Sequence, residues 1–137
     1  MPLPLPQLEA NVSDDEDLAR FLTSSGHYNA SGAKANAFLP HQASRETSVF
    51  RHGAEPREGL WQLGAGTENE ERRLHGAAFV VAGAVRTAGL VVEPDPLPSL
   101  HAAIRGWPWD EADPEKLKAR HKEIALKLAI KSRLILR

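Results

Sequence analysis

Apolar residues fall along the chain in patches of different period. Ser13-Asp14-Asp15-Glu16 has the form of a capping box, with a hydroxyl and a carboxylate placed to satisfy the free amides at a helix start. Leu18, Phe21, Leu22 and Ser25 then share one face at a spacing of 3.6, which predicts a first helix over 14–25, ended by Gly26. Residues 26–45 are rich in Gly, Ala, Asn and Ser and predict a long loop, a kind of segment that often carries function. Over 46–51 the period drops to two, with Thr47, Val49 and Arg51 opposite Ser48 and Phe50, and a strand is predicted.

Pro56 suits the first turn of a helix carrying Leu60, Trp61 and Leu63, extending past Gly64 and Gly66 to Leu74. The apolar run from 77 to 92 predicts a strand at 78–81, a helical turn over 84–88 and a strand at 90–93, with a hairpin as the alternative. Pro94, Pro96 and Pro98 then interrupt regular structure. Asp113-Pro114-Glu115 is a strong helix start. The helix it opens reaches about 131, with Leu117, Ile124 and Leu128 inward and Ala125 and Ala129 beside them. Leu134, Ile135 and Leu136 predict a terminal strand. Together these elements predict an α+β fold: a single small domain over 13–137, with a short mixed or antiparallel sheet packed against an N-terminal and a C-terminal helix. Proline at 2, 4 and 6 makes residues 1–12 an extended arm bearing Leu3 and Leu5, expected to be held on the domain or on a partner.

Composition narrows the function classes. The chain has 137 residues, 42% apolar and 26% charged, which is ordinary for one globular domain. It has no cysteine, so disulfides, thiolate nucleophiles and cysteine-ligated metals are excluded and a cytoplasmic location is expected. No run approaches the roughly 18 apolar residues of a membrane span, and the N-terminus lacks the cationic start of a signal peptide. Charge is uneven. Glu9, Asp14, Asp15, Glu16 and Asp17 face only Arg20 early on, whereas from 115 to 137 eight Lys and Arg face only Glu115 and Glu123. Such a dipole suits pairing of its own ends, of two copies, or of the basic face with an anionic partner.

No phosphate loop, metalloprotease pair, nucleophile elbow or calcium loop is present, and nothing calls for a cofactor or a metal. Four isolated features remain. Arg51 and His52 stand together at a strand end, where a guanidinium could clamp a phosphate and an imidazole move a proton; a locally paired arginine and a solvated histidine is the plainer alternative. Between His101 and Trp109, Arg105, Trp107 and Trp109 could hold a base or ring, unless the tryptophans simply plug the core. Six histidines are scattered, among which His27, His52 and His101 could be united by folding. The basic last helix, with Lys118 and Lys122, could take nucleic acid or could be an ordinary solvated face.

The segments Glu46-Thr47-Ser48-Val49-Phe50-Arg51, Leu74-His75-Gly76-Ala77, Val92-Glu93-Pro94-Asp95-Pro96 and His101-Ala102-Ala103-Ile104-Arg105-Gly106-Trp107-Pro108 resemble a group of small uncharacterised bacterial proteins. The resemblance spans most of 13–136 and implies a bacterial, cytoplasmic, stand-alone domain, with no activity or residue role to carry over. The sequence therefore supports an interaction module that docks on a partner protein or on itself through the arm and charged helices. The alternative is a small enzyme of nuclease or nucleotide-processing type, with His101 and His52 as acid and base and Arg51 and Arg105 on the phosphate. Nucleic-acid binding without catalysis is the third reading.

Overall fold

The computed structural model describes residues 11–51, 57–95 and 100–137. Its elements run β1 (Asp17–Leu22), β2 (Tyr28–Asn29), β3 (Gly32–Ala33), β4 (Thr47–Arg51), α1 (Arg57–Ala65), β5 (Gly76–Val81), α2 (Ala82–Thr87), β6 (Val91–Pro94), β7 (His101–Arg105), α3 (Pro114–Lys131) and β8 (Arg133–Leu136), with short 3-10 turns at Ser25–His27 and Ala35–Ala37. Six strands form one sheet in the order β6-β7-β4-β1-β5-β8, every neighbouring pair antiparallel, and β2 and β3 make a separate hairpin. The domain is small, single and α+β, and among the described residues no helix is long and apolar enough to cross a membrane.

The predicted N-terminal helix is instead β1, a central strand. Leu18, Ala19 and Leu22 are all fully buried, because β1 lies between β4 and β5 with both of its faces covered. A strand buried on both faces loses its alternation and reads locally like a helix. The capping-box residues serve other purposes: Ser13 donates to Asp15 at 2.7 Å, Asp14 pairs with Arg86, and Glu16 pairs with Arg51. Asp14 and Glu16 are thus paired with cations within the fold, and Asp17 reaching Arg133 at 3.4 Å ties the acidic and basic ends together.

One face of the sheet presents Leu18, Leu22, Val49, Val80 and Ile104 to α2, α3 and Phe38, the largest fully buried side chain. The other presents Ala19, Ala77 and Phe79 to Leu60 of α1. The strand, turn and strand predicted between 77 and 93 are β5, α2 and β6. The helix predicted from Pro56 ends at Ala65 rather than Leu74, and Asp113 caps α3 by accepting from the Glu115 and Lys116 amides. A strand not predicted, β7, occupies 101–105, where two alanines and one isoleucine give little strand signal locally and pairing with β4 and β6 decides the conformation.

Candidate anion-binding site

β1 and β4 pair at Leu18–Arg51 and Ala19–Phe50, whereas β1 and β5 pair over all six residues of β1. Past Ala19 the gap beside β4 is bridged by a side chain: Arg20 donates through Nε to the Ala37 carbonyl at 2.8 Å and through Nη1 to the Ser48 carbonyl at 2.9 Å. The loop carrying Ala37 is fixed in turn by Thr47, whose buried hydroxyl donates to the Phe38 carbonyl at 2.8 Å. Farther along, the His41 amide bonds the Glu46 carbonyl and the Arg45 amide the His41 carbonyl, with Arg45 at a φ of 61°. A left-handed arginine is strained, and such strain persists only where the surroundings hold it.

Arg20 lines two adjoining depressions. One, of about 750 Å³, includes Arg20, Pro40, His41, Ser44, Ser48 and Arg72. The other, of about 210 Å³, includes Arg20, Ser48 and Arg72 again with His27, Phe21 and Phe50. Neither Arg20 nor Arg72 has a carboxylate partner among the described residues. Glu46, the acid of the larger depression, is held by Arg105 at 2.7 Å. Burial pushes the Arg20 guanidinium below its ordinary pKa, although arginine stays cationic at any physiological pH. His27 is also pushed down, first by burial, then by the Arg20 charge, then by His75. Two guanidinium groups without a carboxylate partner among the described residues therefore line the cleft. A guanidinium anchored by two carbonyls, with a second guanidinium, a serine hydroxyl and an imidazole around it, suits a phosphate or carboxylate group.

The residues singled out in the sequence are distributed differently. Arg51 makes a bidentate bond to Glu16 at 2.7 and 2.8 Å, both side chains buried. Arg105 is engaged by Glu46 and Glu93, which together hold its pKa above the ordinary value, the Glu46 hydrogen bond contributing most. His101 is buried with its ring edge against Phe50, and its Nδ1, 3.5 Å from an Asp95 carboxylate oxygen, has no hydrogen-bond partner among the described residues. His52, Leu3 and Leu5 lie outside the described residues, so neither the pairing of His52 with His101 nor the arm is tested.

Trp107 is buried and donates to the Ile104 carbonyl at 3.2 Å, a core plug. Trp109 is half-buried, set edge-on to His121 at 4.5 Å with the Arg45 guanidinium over its ring at 5.1 Å. Lys118 lines a third depression beside Trp109, and Lys122 is exposed one turn farther along α3. No three His, Asp or Glu residues among those described converge as metal ligands.

Arg20 and Arg72 were not singled out in the sequence. The available signal was a cation in the middle of Leu18-Ala19-Arg20-Phe21-Leu22, which a helix can place at its surface but a central strand must bury. Comparison with family models, with curated proteins and with solved structures found no match, so residue roles rest on geometry alone.

Proposed function

We propose that the protein binds a phosphate-bearing ligand in the cleft between β1, β4 and Arg72. Arg20 carries this reading: a partly buried cation, fixed by main-chain carbonyls and unmatched by any carboxylate among the described residues, is costly unless an anion completes it. The reading shares its substrate class with the nuclease or nucleotide-processing alternative while drawing on different residues. Turnover is not part of it. The cysteine-free composition favours a cytoplasmic setting.

Titration with inorganic phosphate, followed by two-dimensional NMR, is expected to move the amides of Arg20, Ser48 and Arg72 in one saturable transition. Arg72→Ala should weaken it about tenfold, the worth of one charge-assisted hydrogen bond. Phosphate that moves none of these signals would overturn the proposal.

Affinity for sulfate, a tetrahedral anion that stays doubly charged throughout, should also rise as pH falls from about 7.5 toward 6. Burial and then the Arg20 and His75 charges disfavour the His27 imidazolium; a bound dianion offsets those charges, so binding takes up a proton. Stability alone runs the opposite way. Because the folded pKa of His27 is depressed, its contribution is complete above the unfolded value of 6.5 and is lost as pH falls from there through the folded value. Sulfate affinity that is flat with pH would remove His27 from the site.

A second reading, docking on a partner protein or a second copy, is favoured by the apolar surface of α3. Ile130 is 71% and Leu126 48% exposed, one turn apart beside Lys127 and Lys131. If copies associate through this face, Ile130→Asp should reduce the mass seen by light scattering to that of one chain; a single-chain mass before substitution counts against self-docking.

A further inference from the structure

We infer that the ligand is single-stranded nucleic acid, its backbone following Arg72, Arg20 and Lys118 and one base stacking at Trp109. This rests on the phosphate reading above and extends it along the surface.

The large depression adjoins others on two sides. It shares Arg20, Ser48 and Arg72 with the depression of His27 and Phe50, and shares Leu39, Pro40 and Gln42 with one of about 360 Å³ bordered by Trp109, Lys118 and His121. The three share lining residues in series, and together they are far larger than a single phosphate group requires. A cation stands at each section: Arg72 and Arg20 where two of them meet, and Lys118 in the third, with Lys122 one turn beyond on α3. Glu115 shares the third section with Lys118, and Glu46 in the first is already paired with Arg105. A row of separated cations along a groove matches a repeating phosphate backbone better than one compact anion.

An aromatic surface lies beside that row. Trp109 is only half-buried, and its ring and the Arg45 guanidinium already form a stack at 5.1 Å, with Arg45 exposed to solvent. A base can extend this stack on the guanidinium plane or take its place on the indole; both are ways proteins hold unpaired bases. His121, whose Nε2 lies 2.6 Å from the Pro108 carbonyl, sets the angle of the indole. A duplex keeps its bases stacked inside and cannot offer one to Trp109, so the aromatic selects single strands.

The test uses the full chain and a fluorescent oligouridylate of about twelve nucleotides, within the span that single-strand sites cover. Fluorescence anisotropy should report binding that weakens with salt at a slope near −2 in log K against log salt, the value expected for about three phosphate contacts on a single strand. Trp109→Ala should lower affinity about tenfold or more. Lys118→Glu, at an exposed site that leaves the fold intact, should lower it and reduce the slope by about 1. Neither change should alter the titration with inorganic phosphate. If the oligonucleotide binds no more tightly than uridine monophosphate, if a duplex of equal length binds as well, or if Lys118→Glu changes nothing, the inference falls while the phosphate site stands. If neither oligonucleotide nor phosphate binds, both fall.

Discussion

Replacing Glu16 with glutamine is expected to cost about 3–5 kcal/mol of unfolding free energy, because it withdraws the carboxylate that a buried guanidinium holds through two hydrogen bonds. The Arg51 and Glu16 side chains are only 7% and 10% exposed and meet through two bonds of 2.7 and 2.8 Å. Glu16 immediately precedes β1, and Arg51 ends β4 with its amide bonded to the Leu100 carbonyl at 2.6 Å, so the pair joins the segment entering the central strand to the end of its neighbour β4. Urea unfolding of the single variant and of the double variant Glu16→Leu, Arg51→Met separates two effects. The single change should be severe and the double change should recover most of the loss, since an apolar pair of similar volume avoids the desolvation cost of both charges. A single-variant loss under about 1 kcal/mol would place the pair with ordinary surface ion pairs.

Arg20→Met is expected to weaken phosphate binding by about tenfold to hundredfold, the range for losing a charge-assisted bidentate contact. It should also destabilise the fold, since the Ala37 and Ser48 carbonyls lose their donor. Arg20→Lys separates these roles. It keeps the charge, but with its three donors on a single nitrogen it cannot span two carbonyls and an anion as the planar fork does. The lysine variant should regain much of the stability while remaining several-fold weaker for phosphate, as measured by calorimetry. Phosphate affinity equal to the parent in a folded Arg20→Met variant would exclude Arg20 as the anchor.

Much of the fold was legible because local signals agreed with tertiary structure. Asp113-Pro114 marked the start of α3, the alternation in Thr47–Arg51 marked β4, and the apolar run over 77–92 carried two strands around a short helix. Where burial on both sides erased the period, as in β1, the helical reading prevailed and failed. The site suffered from the same error. With 14–25 taken as a helix, Arg20 is an unremarkable surface residue; as part of β1 it becomes an interior cation and the strongest chemical signal in the chain. Arg51 and Arg105 looked free in the sequence because their partners, Glu16, Glu46 and Glu93, come from elements joined only by sheet pairing. Trp107 and Trp109 carry the same spacing information but divide into a core residue and a half-exposed one, a difference decided by the turn after β7.

The placement of β1 has a consequence for how recognition relates to folding. Its partner β5 lies more than fifty residues away in sequence, and the cleft is closed by Arg20 on one side and Arg72, just ahead of β5, on the other. A fragment must run from before residue 20 to beyond residue 72 to contain both walls. Proteolytic pieces cut between these two arginines should therefore lose affinity, and occupancy of the cleft is expected to be linked to the cooperative transition of the sheet. A ligand at a hundred times its Kd would add about 2.7 kcal/mol to global stability, visible as a rise in melting temperature with ligand concentration.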